Sequence, residues 1–285
     1  MKGICQLYLK ECELRKSHIH PKFASAYNKK TGSKYFRNWA YPNKKFQDAE
    51  THYLLSGEAE EEFSKREKWF SENIFKPYLE ENVKELSYNE NLFYFTISYL
   101  WRTLVVLLNN KELDNHWGLG LIKEAEKEWR EFLSTYKYPR KYDRFYLQFT
   151  DRILHHTLDS EYVDFYFTRV LDFTTVSNEN QTFLGVYAKF NRFIFWGILK
   201  GGNEMQMMET KINPISGKFL IPQQFDEQVI LSFYLNRINL MENLPKPSSV
   251  QMKKIEKEIM DNYEAFLESD VARSIESDFL NKKDR

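Results

Sequence analysis

The side chains suited to chemistry concentrate in one stretch and its echo about forty residues later. The first is Cys5-Gln-Leu-Tyr8 through Ser17-His18-Ile19-His20-Pro21, and the second is Leu54-Leu55-Ser56-Gly57-Glu58-Ala59-Glu60. Taken alone, Ser-His-x-x-Pro describes a hydrogen-bonded histidine in a turn before Pro21. A Glu58-Ala-Glu60-Glu61-Glu62 run at a helix start is equally a helix-dipole device, because acidic side chains stabilise the first turn whatever else they do. Chemistry at either place requires that the two stretches meet.

The elements that would bring them together can be read from the pattern. Residues 3–13 suggest a hairpin or knuckle, and Leu14 to Phe23 suggests a strand running into a turn or short helix at Pro21. Phe46 to Leu55 reads as a second strand. A charged helix follows from about Ser56 to Leu79, with Phe63, Trp69, Phe70, Ile74 and Phe75 on roughly one face and Pro77 at its end. Asn91 to Asn109 is apolar nearly all round and predicts the central buried helix; a membrane span is the rival reading, opposed by Arg102. Ile122 to Leu133 and Arg144 to Leu158 carry helical spacing. Glu161 to Thr175, Thr182 to Lys189 and Arg192 to Lys200 are rich in strand-forming residues, although 161–172 fits a helix as well, and Lys200-Gly-Gly-Asn203 punctuates them as a turn. Pro222 suits the first turn of a helix reaching about Asn243, and Ser249 to Leu280 returns to helix after Pro245 and Pro247.

Composition agrees with a folded, mainly helical protein. The 285 residues are 42% apolar and 16% aromatic, with few Gly and Pro. The expected class is α+β, mainly α: a ββα module over 1–80, then a helical domain over 81–285 with a small antiparallel β-rich insert around 181–221. Two cysteines cannot form a disulfide framework, and no secretory leader is evident, so a cytoplasmic protein without membrane association is expected, and the Asn180-Gln-Thr182 sequon is a chance match. The 41 basic and 41 acidic side chains cancel, which removes bulk charge as a guide to partners. Their distribution is uneven. Residues 1–46 hold eleven Lys/Arg against two Glu, a local +9, and residues 47–90 hold five basic against twelve acidic, a local −7. The basic arm, interleaved with Phe23, Tyr27, Tyr35, Phe36, Trp39 and Tyr41, suits phosphate neutralisation and base stacking. Docking onto the acidic helix that follows explains the same charges.

The order of these elements resembles the HNH (ββα-metal) nucleases. More closely, it resembles a prokaryotic HNH-like family with the pattern Cys-x-x-Cys, Leu-Arg-x-Ser-His-Ile-x-Pro-x-Phe, Tyr-x-Arg, Gln-Asp and Leu-Leu-Cys-x-x-Cys-Glu-x-x-Phe-Ser-x-x-Glu. Here the matching positions are Leu14 to Phe23, Tyr35-Phe-Arg37, Gln47-Asp48, and Leu54-Leu55 through Glu60, Phe63, Ser64 and Glu67, about the first 80 residues. The resemblance implies His18 as general base for phosphodiester hydrolysis, with Gln47 and Glu60 as catalytic partners. It implies Mg²⁺ or another divalent cation at Asp48 and Glu60, since hard cations prefer oxygen ligands. DNA or RNA would lie along Arg15, Lys16, Lys22, Arg37, Lys44 and Lys45, and anti-phage defence is the implied setting. An alternative descends from the same likeness: a catalytically inactive relative acting as an interaction or regulatory subunit with a protein partner.

The family's four zinc-holding cysteines fall at Cys5, Tyr8, Ser56 and Ala59. A structural Zn²⁺ needs four soft, deprotonated donors, which Tyr, Ser and Ala do not supply. The expectation is no structural zinc, with Tyr8, Ala59, Leu7 and Leu55 packed together in its place. Elemental analysis of the purified protein by mass spectrometry should therefore find zinc far below one equivalent; a stoichiometric amount would overturn the expectation.

Overall fold

The computed structural model describes residues 1–32, 36–38, 41–46, 49–153 and 160–283. It is a mixed α/β structure, 49% helical and 21% strand, with 10 helices and small antiparallel sheets among the described residues. Strands β1 (Lys2–Ile4) and β2 (Glu11–His18) form the expected hairpin, and α1 (Lys22–Lys30) follows immediately after Pro21. A short ribbon, β3 (Phe36–Asn38) and β4 (Tyr41–Phe46), precedes β5 (Thr51–Ser56), which pairs antiparallel with β2. Helix α2 (Gly57–Phe70) starts on Ser56, whose hydroxyl accepts from the amide of Ala59, as an N-cap should. It continues through one π-helical turn, Ser71–Phe75, into α3 (Lys76–Leu79).

The remainder is layered around α4 (Glu90–Asn109), flanked by β6 (Glu85–Asn89) and α5 (Leu119–Thr135). Leu92, Phe95, Ile97, Leu100, Trp101 and Leu104 of α4 are fully buried, and each such side chain removed from water contributes about 1.5–3 kcal/mol. Among the described residues α4 is the one helix long and apolar enough to cross a membrane, but 89% of its apolar window is buried inside the protein itself.

Beneath α4 lies a four-stranded antiparallel sheet. Its strands are β7 (Phe145–Phe149), β8 (Asp172–Ser177), β9 (Leu184–Phe190) and β10 (Phe193–Lys200), in spatial order β7-β10-β9-β8. Its second face is covered by α6 (Val163–Arg169) and α7 (Gln228–Glu242), through Val163, Tyr166, Ile230, Tyr234 and Ile238. β11 (Ser216–Leu220) pairs with β6, and α8 (Ser249–Met260), α9 (Tyr263–Leu267) and α10 (Asp270–Lys283) end the description.

Three expectations are corrected, and the open choice between helix and strand over 161–172 is decided. The segment 145–149 is a strand where helical spacing suggested a helix; Phe145 and Leu147 enter the core under α4 while Tyr146 enters the core on the opposite face, so burial on both sides erases any periodicity. Residues 163–169 are helix and only 172–177 strand. The β-rich part is a central sheet between two helical layers, larger than an insert over 181–221. Pro222 follows a cis peptide bond in a loop, and its helix begins at Gln228. The Gly201-Gly202 turn is as expected, with both residues at positive φ.

One continuous core runs from Cys5 to Phe219, and aromatic contacts fasten the first 80 residues to the body. Phe70 stacks on Phe95 at 4.3 Å between centroids, Phe23 meets Phe190 at 5.7 Å, and Phe75 stacks on Phe193 at 5.4 Å. His20 belongs to this junction. It is buried between Tyr99 and Phe173, its Nδ1 lies 2.7 Å from the Tyr99 hydroxyl, and burial, then Arg102 and Lys189, pull its pKa down to about 3. A histidine with a depressed folded pKa contributes stability that is present above about 6.5 and lost as pH falls toward 3, because the unfolded chain takes the proton first. Asp278, raised to about 6, acts in the opposite sense between 6 and 3.8. Urea unfolding at pH 7 and pH 5 should therefore show wild type losing up to about 1.4 kcal/mol more per pH unit than His20→Gln. Equal slopes would show that His20 titrates normally.

Candidate functional site

The two sequence stretches do meet. β2 ends at His18, β5 returns beside it with Ser17 opposite His52 and His18 opposite Thr51, and α2 then carries Glu60 back across the strand. The fully buried Ser17 hydroxyl donates a short hydrogen bond to Glu60 Oε1. His18, Lys22, Glu60, Ser64, Glu67 and Arg102 line a cavity of about 90 Å³. Spacing explains the helix contribution: Glu60, Ser64 and Glu67 follow i, i+4, i+7 and lie on one face of α2. Lys22 comes from the first residue of α1.

Arg102 is the member that spacing within the first 80 residues could not supply. It projects from the middle of α4 with 3% of its side chain exposed. Its Nη2 donates to Glu67 Oε1 at 2.7 Å, Nη1 to the His18 carbonyl at 3.0 Å and Nε to the Ser98 carbonyl at 3.3 Å, and the guanidinium stands over the Phe63 ring at 5.5 Å. Its signals in the sequence were an interrupting charge in an otherwise apolar helix and the Trp101-Arg102 pair as a candidate extension of the HNH-like resemblance.

The predicted metal and nucleic-acid residues are distributed unequally. Glu60 faces the cavity, whereas Gln47, Asp48 and the side chains of Arg37 and Lys45 lie outside the described residues, as do His155 and His156. Lys44 is exposed on β4. Arg15 and Lys16 are exposed on β2 and Lys22 at the cavity mouth, and none of the three forms an ion pair among the described residues. The acidic segment pairs partly within itself, Glu62 with Lys65 and Arg66 at 3.1 Å each and Lys68 with Glu72 at 4.0 Å, while Glu67 pairs with Arg102 and Glu80 with Lys30 of the basic arm at 3.6 Å. Docking of the basic arm onto α2 thus leaves Arg15, Lys16 and Lys22 unaccounted for.

Among the described residues no group of three or more His, Cys, Asp or Glu side chains is placed to hold a metal. Ser17 engages only one oxygen of Glu60, Oε1, and a Mg²⁺ ion that keeps several waters needs only one or two carboxylates beside a substrate phosphate. Glu60 fits that limited role, while Glu67 is committed to Arg102. His20 faces Tyr99 in the core rather than the cavity.

The positions of the family's zinc cysteines converge as well. Cys5 Sγ accepts the Ser56 amide at 3.4 Å and lies 3.7 Å from the Ser56 hydroxyl. The knuckle is closed by the Cys5 amide on the Lys10 carbonyl and the Leu9 amide on the Cys5 carbonyl, with Leu9 at φ 53. Cys5, Leu7, Leu55 and Ala59 are buried in the main core, and Tyr8 packs against it. Ala59 has no donor atom, so this donor set does not fit a tetrahedral zinc.

Removing Arg102 leaves Glu67, a residue mostly shielded from solvent, unpaired at the cavity. Arg102→Met should cost about 3 kcal/mol in urea unfolding, and Arg102→Met/Glu67→Met should recover most of it, because breaking a buried pair is worse than replacing it. An equally unstable double variant would show that the His18 carbonyl contact, not the ion pair, carries the effect. Searches of protein-family models, curated proteins and solved structures find no match to this chain.

Proposed function

We propose that this protein is an HNH-like, metal-dependent nuclease whose centre is the cavity between β2, α1 and α2. The observation that carries the reading is the meeting of His18 and Glu60 in one cavity with Lys22 at its mouth, on an antiparallel strand pair followed by a helix. His18 takes a proton from the water whose oxygen attacks phosphorus as the P–O ester bond breaks. Lys22, with Arg15 and Lys16, neutralises phosphate charge on DNA or RNA. Arg102 holds the His18 carbonyl and so fixes the end of β2 against the cavity. Ser17 orients Glu60 by its hydroxyl. A divalent ion carried in part by Glu60, and by Asp48 if that side chain reaches it, would stabilise the leaving oxygen. Anti-phage defence in the cytoplasm of a prokaryote is the setting this likeness suggests.

A second reading is a descendant that retains the scaffold as a binding or regulatory subunit. It is favoured by the absence of a three-ligand cluster among the described residues and by a knuckle held with apolar packing.

Incubation of plasmid and single-stranded DNA and RNA with Mg²⁺ or Mn²⁺ separates the two. Cleavage that drops at least about 100-fold in His18→Ala is the expected result, and cleavage surviving that substitution would remove His18 from the role of base. Lys22→Ala should weaken binding of any sequence and reduce the salt slope by about 1. Salt-sensitive binding without cleavage would favour the second reading.

A further inference from the structure

Helix α10 is docked inside out. Its buried positions are Asp270, Ala272, Ser274 and Asp278, three of them polar and spaced four apart, while Ile275 and Leu280 are about half exposed. The two helices that lead to it, α8 and α9, bury no residue at all. A helix is normally held by its apolar stripe; this one is held by charges and hydrogen bonds.

The grip lies at Asp270, which sits among three arginines from the body. Arg192 Nη2 is 2.6 Å from Oδ1, Arg169 Nη1 is 3.1 Å from Oδ2, and Arg152 Nη1 is 3.2 Å from Oδ1. Farther along, the Ser274 hydroxyl meets Thr168 at 2.8 Å, and Asp278 accepts the amides of Asp164 and Phe165 at 2.7 and 2.9 Å, capping α6. Arg169 also donates to the Asn28 carbonyl and the Thr31 hydroxyl at the end of α1, and Arg192 and Arg152 also reach Asp151, so each arginine has a partner besides α10.

The arginines carry more charge than Asp270 cancels. Among the described residues Asp151 is the other carboxylate within reach, 3.1 Å from Arg192 Nη1 and 4.0 Å from Arg152 Nη2, and buried Arg192 Nε has no hydrogen-bond partner there. Without Asp270, three guanidiniums would face one carboxylate among the described residues, leaving two positive charges. A phosphate group carries about that charge and matches the planar fork of arginine better than a point cation does.

We propose that α10 is a releasable strap and that Asp270 occupies a phosphate-binding cage formed by Arg152, Arg169 and Arg192. This cage is independent of the cavity at His18. A phosphate and α10 compete for it, so binding of one frees the other.

Hydrogen exchange on the full-length protein, read by mass spectrometry at constant ionic strength without divalent ions, tests the competition. Inorganic pyrophosphate should accelerate exchange of 270–283 at least threefold over sodium chloride while β9 and β10 stay protected. A 5′-hydroxyl single-stranded oligonucleotide run in parallel identifies the source: acceleration by it assigns the cage to a nucleic-acid backbone, and acceleration by pyrophosphate alone assigns it to a free phosphate compound. Arg192→Gln should abolish either effect. Equal exchange in chloride and both phosphate probes, or an acceleration that persists in Arg192→Gln, would overturn the proposal.

Discussion

The guanidinium of Arg102 is almost wholly withdrawn from solvent at the base of the cavity, and the organisation around the cavity follows from that constraint. A charge placed in the middle of a buried helix must find acceptors, since an uncompensated buried charge costs several kcal/mol. Arg102 finds them in Glu67 of α2, the carbonyl of His18 at the end of β2 and its own helix. The central helix thereby ties strand end and acidic helix to each other. The position of His18 relative to Glu60 is thus set partly from outside the first 80 residues. The aromatic stacking of Phe70 on Phe95 and Phe75 on Phe193 reinforces the same attachment.

A second consequence concerns the knuckle. In a zinc-held module the metal contributes folding energy directly. In this chain the same junction is closed by the Ser56 amide on Cys5 Sγ, by Ala59 and Leu55 at zero exposure, and by a core continuous with the body. This packing is continuous with α4 and the sheet through the main core, so the knuckle and its neighbours share one set of apolar contacts.

Charge shows a similar division between near and far in sequence. Several charges of the acidic helix are met by i,i+3 and i,i+4 pairs, each worth a few tenths of a kcal/mol, while Lys22 stays exposed at the cavity mouth. The buried electrostatic commitments join residues far apart in sequence, such as Arg102 with Glu67, Arg169 with Asp270 and the α6 amides with Asp278.

Much of the local structure was legible in the chain. The hairpin, the strand leading toward Pro21, the charged helix from about Ser56 and the central helix follow from apolar spacing, turn residues and apolar density, which are short-range properties. The pairing of the two chemical stretches was legible only through their resemblance to a known pattern. What the residues alone did not disclose was decided by tertiary burial. The strand 145–149 has cores on both faces and no period to read, the C-terminal helix turns a polar face inward because three arginines wait there, and Arg102 completes a cavity built from the other end of the chain. Sequence by itself determined the elements whose signals are local, such as the N-terminal hairpin, the charged helix and the central apolar helix, because those depend on neighbours within about four residues; the tertiary structure decided the state of segments buried on both faces and which charges are buried together, because that depends on what covers them.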